Sequence, residues 1–157
     1  MCGIAGILRF DGHPVAPSLI GGMLEKLAHR GRDHAAVETG GPGSGEGRLS
    51  ARTSIALGHR RLSIIDLSDA AAQPMAYDNG TLWLVFNGEI YNYLELRQEL
   101  AGNGYRFATN SDTEVILAAY AHWGPACVER FNGMFAFALW DDARQRLFCA
   151  RDHLGIK

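Results

Sequence analysis

A layered α+β sandwich is the architecture that this chain of 157 residues predicts, on three observations. The run Met134 to Trp140 alternates Phe135, Phe137 and Leu139 on one face with Met134, Ala136, Ala138 and Trp140 on the other, so both faces are apolar. Leu82 to Phe86 is also uninterrupted apolar sequence, and strands of this kind lie in sheets covered on both sides. Hairpin-spaced strands occur beside helical stretches, without the regular alternation of a doubly wound sheet. The length corresponds to about one domain. A globule of this size buries roughly 68–70% of its unfolded surface, so neither a disulfide staple nor a metal is required to hold the core.

The elements follow in order. Cys2 to Leu8 reads as a strand of small and apolar residues that permits close backbone approach. Ser18 is expected to cap a helix carrying Leu19, Ile20, Met23, Leu24 and Leu27 at helical spacing, which Gly21 and Gly22 each weaken by about 1 kcal/mol. Gly40 to Gly47 reads GGPGSGEG, a loop by composition that lacks the Gly-Lys-Ser/Thr ending of a phosphate-binding loop. Ser54 to Leu57 and Leu62 to Ile65 are strand material on either side of Gly58. A helix with Leu94, Leu96 and Leu100 stops at Gly102 and Gly104. Ser111 and Glu114 stand at capping-box spacing before Val115, Ile116, Ala119, Tyr120 and Trp123. A short helix after Pro125 leads to the strands Met134 to Trp140 and Leu147 to Ala150, joined by the polar turn Asp141-Asp142-Ala143-Arg144.

Composition excludes several classes of function. A net charge of -2, with arginine pairs such as Arg30/Arg32 and Arg60/Arg61 that are too short to form a basic stripe, argues against a nucleic-acid surface. No apolar stretch approaches the roughly 20 residues of a membrane span. Three cysteines without a CxxC pair indicate a reducing, cytoplasmic compartment. Cys127 and Cys149, flanked by apolar residues, are expected to be buried, inert thiols. The histidines His13, His29, His34, His59, His122 and His153 are scattered, with no HExxH, so no metal site is predicted.

Four features could carry chemistry. If the initiator Met1 is removed, Cys2 presents a thiol beside a free α-amine, which titrates near 7.7–8.0 and can take the thiol proton without a histidine. Asn87-Gly88 could supply a side-chain amide and a backbone N–H to an oxyanion, although Asn-Gly between apolar runs is also the strongest short hairpin signal. Arg61 could grip a carboxylate with two parallel bonds, or be a solvated surface charge. Asp112, in a helix first turn, could receive an ammonium or simply complement the helix dipole. Taken singly, each has an ordinary explanation.

Together, the segments Met1 to Gly6, Gly58 to Asp66, Gln73-Pro74, Phe86 to Asn92, Ser111 to Ile116, Asn132 to Ala138 and Arg151 to Lys157 resemble the N-terminal glutaminase domain of the glutamine-hydrolysing asparagine synthetases. This is a class II glutamine amidotransferase domain among the N-terminal nucleophile hydrolases. The resemblance runs over residues 1–157, and FNGEIYN and RDHLGIK are its most specific runs. It implies a four-layer α/β/β/α sandwich, incomplete at the C-terminus. Cys2 would be the nucleophile, and Asn87 and Gly88 the oxyanion hole. Arg61 would hold the glutamine carboxylate, and Asp112 the ammonium, assisted by Glu89 and the backbone near Ile64 and Ile65. L-glutamine is the implied substrate, and the glutaminase step needs no cofactor. ATP and Mg2+ would serve only a C-terminal synthetase domain, whose Ser-Gly-Gly-Leu-Asp-Ser loop is not in this sequence. A homodimer is an assembly the resemblance allows. The chain departs from the family at Arg32, where His-Arg-Gly is usually followed by proline, which would fix φ. An amidotransferase with a sugar-phosphate or phosphoribosyl acceptor, and a catalytically silent binding module, are the other readings.

Overall fold

The computed structural model describes residues 2–41, 49–50, 52–62 and 69–157. The predicted loop Gly40 to Gly47 lies largely outside them, and Ile64 and Ile65 wholly so. The chain runs β1 (Gly3–Leu8), α1 (Pro17–Lys26), β2 (His34–Gly40), β3 (Ile55–Arg61), β4 (Met75–Tyr77), β5 (Leu82–Ile90), α2 (Tyr93–Gly102), α3 (Asp112–Trp123), β6 (Gly133–Asp141) and β7 (Arg146–Arg151). A 3-10 segment, Gly124–Arg130, follows α3 where the short helix after Pro125 is expected.

The strands form two antiparallel sheets, β1-β3-β2 and β4-β5-β6-β7. Period-two alternation then assigns every strand side chain to a layer. In the first sheet, Ala5 and Ala56 face α1 and pack with Val15, Ile20 and Leu24. Gly58 lies beneath that helix, where an added Cβ would come within 3.1 Å of Leu24 Cδ2. The opposite face sends Ile4, Leu8, Ile55 and Leu57 against Trp83, Val85 and Trp140 of the second sheet. The outer face of the second sheet carries Leu84, Phe86, Phe135, Phe137 and Leu139 against α2 and α3. The order helix, sheet, sheet, helix is the layering expected, and both strands read as doubly apolar are interior strands. Each fully buried Leu, Ile or Val in these layers contributes roughly 1.5–3 kcal/mol.

Several local expectations are corrected. α1 starts two residues earlier than expected, with Ala16 as N-cap in place of Ser18 and no side-chain cap, because Pro17 at the first turn has φ preset and no N–H needing a partner. Ser111 does cap α3, accepting from Thr113 N at 3.1 Å. Glu114 does not close the box; its carboxylate instead takes the N–H groups of Ala108 at 2.8 Å and Thr109 at 2.7 Å, securing the entering loop. One continuous β3 crosses Gly58 where two strand pieces are expected. Strands β2 and β4 carry no clear alternation and go unpredicted. Cys149 is exposed, contrary to expectation, because β7 is an edge strand, whereas Cys127 is buried and its thiol is pushed up to about 12 by burial.

Candidate active site

The inter-sheet layer changes character along its length. On β3, Ile55 and Leu57 are followed at the same parity by His59 and Arg61; on β5, Trp83 and Val85 are followed by Asn87 and Glu89. On β1, Leu8 and Ile4 share their face with Cys2. The polar members lie at one end, because β1 and β3 are antiparallel and Gly3 pairs with Arg60. The second sheet meets this end through His59, 1% exposed, whose Nε2 stands 3.2 Å from Phe86 O and donates to it. Burial lowers the His59 pKa to about 4, so its ring is neutral. Among the described residues, its Nδ1 has no partner.

Cys2 is half-buried. Its sulfur receives the Leu62 N–H at 3.4 Å and lies 3.6 Å from the Leu62 carbonyl. Its own carbonyl accepts from Arg30 Nε at 3.1 Å. Gly31 presses on β3, and a Cβ there would sit 2.4 Å from Arg60 O, so only glycine fits. Asp33 N donates to Arg61 O at 3.1 Å. The His29 to Asp33 segment thus braces the strand end that carries Arg61, and the departure Arg32 points outward, exposed. Arg61 itself is 8% exposed, which removes the reading of a solvated surface charge.

Asn87-Gly88 is not a hairpin turn. Both residues lie inside β5, in register with Ala136 and Phe135 of β6, because the flanking apolar residues are needed in the sheet core. Gly88 has φ +155, and a Cβ on it would come within 2.1 Å of Met134 O, so a side chain is excluded. The direction of its N–H follows from its neighbours. Phe135, its cross-strand partner, turns its N–H and carbonyl toward β7, exchanging both with Asp152 at 3.2 and 2.8 Å. Gly88 therefore directs its own groups to the other edge, which β4 covers only as far as Leu84. Along that edge, Phe86 N donates to Gln73 Oε1 at 2.6 Å and Ile90 N to Asp112 Oδ2 at 3.1 Å. The Gly88 N–H falls between them.

Asp112, 4% exposed, thus stands at the end of β5. Its carboxyl is raised to about 6 by burial, against the lowering effect of the Ile90 and Thr113 N–H groups, and the nearby Glu89 charge raises it further. Two carboxyl groups close enough to influence each other, that of Glu89 on a strand face at the end of the layer carrying a buried arginine and a half-buried thiol, offer with that arginine the opposite charges that a small zwitterion needs. Among the described residues, no three His, Cys, Asp or Glu side chains stand together as metal ligands.

Sequence reading did not single out His59, Gln73 or Asp152. The His59 signal was its spacing of two from Arg61 on a strand, which puts both on one face. Asp152 collects N–H groups from Phe135, Leu154, Ile156 and Lys157, and these bonds lower its carboxyl to about 2. It carries the turn of the RDHLGIK run.

Comparison with known proteins gives a consistent answer. The family model described as glutamine amidotransferase domain matches residues 1–157. The chain is 42% identical over its whole length to an asparagine synthetase [glutamine-hydrolyzing] 1 of Bacillus subtilis, of which it covers 23%. It is 40% identical to a putative asparagine synthetase of Methanocaldococcus jannaschii, covering 31% of that protein. It therefore spans less than a third of the length of these relatives. A solved glutamine phosphoribosylpyrophosphate amidotransferase of B. subtilis shares the fold at a TM-score of 0.75 and 23% identity, over 98% of this chain and 38% of that one. The four-layer sandwich is accordingly a fold that this chain shares with that solved amidotransferase.

Proposed function

The chain belongs to the glutamine amidotransferase domain family, and from that premise we propose that it hydrolyses L-glutamine to glutamate and ammonia through a thioester on Cys2. Glutamine binds with its α-carboxylate on Arg61 and its α-ammonium between Asp112 and Glu89, with the backbone near Ile64 and Ile65 assisting. The α-amine exposed by loss of Met1 takes the thiol proton, and the sulfur attacks the side-chain amide carbon. Negative charge on the amide oxygen is received by the Asn87 side-chain amide and the Gly88 N–H. The carbon–nitrogen bond then breaks, the amine returns a proton, and ammonia leaves. Water attacks the thioester carbonyl, releasing glutamate and restoring the thiol.

The observation that supports this reading is the convergence of Cys2, Arg61, Asn87 and Glu89 on one end of the inter-sheet layer, with Asp112 at the adjoining strand end. The ammonia acceptor follows the relatives: at 42% identity to a glutamine-hydrolysing asparagine synthetase, against 23% to the phosphoribosyl enzyme, aspartate is favoured over a phosphoribosyl or sugar-phosphate substrate. In that setting, a cytoplasmic asparagine synthase, ATP and Mg2+ would act on aspartate in a synthetase domain beyond these 157 residues, and the glutaminase step would use neither. No helix of the described residues is long and apolar enough to cross a membrane.

Cys2→Ala is expected to abolish glutamate release while leaving the circular dichroism spectrum and melting temperature unchanged. Retained hydrolysis would reject the nucleophile. Intact mass is expected to show loss of Met1, since a blocked α-amine cannot act as base; retained Met1 would favour the silent-module reading.

A further inference from the structure

The main chain of Phe86, immediately before Asn87-Gly88, is held on both of its polar groups by side chains from elsewhere in the fold. Its N–H donates to Gln73 Oε1 at 2.6 Å, and its carbonyl receives His59 Nε2 at 3.2 Å. Gln73 lies just before β4, and its amide nitrogen also donates to Thr113 Oγ1 at 3.2 Å, beside Asp112. His59 comes from the other sheet. Both are buried, at 7% and 1% exposure. At this position an antiparallel sheet would ordinarily satisfy the strand edge with another strand, but β4 stops its pairing at Leu84. A third edge strand would also consume the Gly88 N–H, two residues further on. Two side chains fix Phe86 where such a strand would otherwise pair.

We propose that His59 and Gln73 form a clamp on the Phe86 peptide that sets the position of the Asn87 and Gly88 donors relative to Cys2, and that both are positioning residues for the thioester step. The inference rests on the oxyanion role proposed above. Its physical content is specific. Donors preorganised for the transition state affect the chemical step, whereas Arg61 and Asp112 hold the ground-state substrate by its other end. Loosening the clamp therefore lowers kcat and leaves KM nearly alone. His59 contributes one N–H at the Nε2 position, which the amide nitrogen of glutamine reproduces.

The test is steady-state glutamate release by the protein carrying His59→Leu, His59→Gln or Gln73→Leu, with glutamine affinity measured separately by calorimetry in a Cys2→Ala background. His59→Leu is expected to reduce kcat by about 10- to 100-fold with KM and affinity within about twofold, since misplacement on the order of 1 Å can cost about 100-fold. His59→Gln is expected to recover kcat to within about threefold of the parent. An unchanged kcat in His59→Leu, a fall shared equally by affinity, or a His59→Gln variant no better than leucine would each overturn the clamp. If His59→Leu does not fold, the same split is read on Gln73→Leu, where an unchanged kcat overturns the clamp. These outcomes are distinct from failure of the parent reading, in which the unsubstituted protein itself releases no glutamate or Cys2→Ala remains active.

Discussion

The two ends of the inter-sheet layer use the same strands at the same parity for opposite purposes. At one end Ile55, Leu57, Trp83, Val85 and Trp140 are packed nearly dry, each 3% exposed or less. At the other, His59, Arg61, Asn87 and Glu89 occupy the next positions along β3 and β5, and Cys2 immediately precedes β1. The apolar end gains stability from area removed from water. The polar end pays in desolvation, visible in the neutral His59 and the raised Asp112, for groups held rigidly where a substrate would meet them. The proposed site occupies positions that the fold could have filled with valine or leucine, so stability and activity should separate along a single strand.

That separation can be broken in three ways. The largest effect is expected from Gly88→Ala, because the new Cβ would sit 2.1 Å from Met134 O in a strand that cannot yield without moving the paired β6. Glutamate release should fall by about 100-fold or more through displacement of the donor, and melting temperature should fall as well. An alanine variant with parental kinetics would show that Gly88 does not set the donor geometry.

A smaller effect is expected from pH. The folded Asp112 carboxyl titrates at about 6, above the ordinary value of 3.8, so the anion needed for an ammonium is lost as pH falls through 6. Glutamine binding to the Cys2→Ala protein should then weaken about tenfold per pH unit below that point, as read by calorimetry. Asp112→Asn should bind weakly with a flat pH profile. The stability sign is the reverse. A buried carboxyl with a raised pKa favours the folded state when protonated, so its contribution declines as pH rises from 3.8 to 6. Asp112→Asn should therefore melt no lower than the parent at neutral pH. A strongly destabilised Asn variant would mean that the carboxylate is held for the fold.

The smallest effect on activity is expected at the dry end. Ile55→Val removes one fully buried methylene at the start of β3, six residues from Arg61. It should cost about 1 kcal/mol in denaturant unfolding, with kcat and KM unchanged within about twofold. A kinetic change there would join the two ends into one unit.

How much of this was legible in the sequence depends on the range of the interaction involved. The doubly apolar runs gave β5 and β6 because alternation is local. α3 was legible from its Ser111 cap and apolar stripe. β2, His34–Gly40, was not legible, because it pairs on one edge only and carries a Glu, a Thr and small residues that show no period. Asn87-Gly88 was ambiguous for a physical reason: the residues that favour a tight turn are also those that let a backbone approach a ligand closely, and nothing local distinguishes the two. The burial of Arg61 was likewise undecidable without its neighbours.

Residue order alone determined the layered α+β class and the inventory of reactive groups, since these depend on periodicity and on short runs of side chains, and the four layers came only with the resemblance to a glutaminase. Only the tertiary structure decided that Asn87-Gly88 continues a strand, that His59 ties one sheet to the other, and that the Gly88 N–H lies between two edge groups already taken by Gln73 and Asp112. Those outcomes rest on contacts between residues 13 to 49 positions apart, whose partners are fixed only once the sheets have packed.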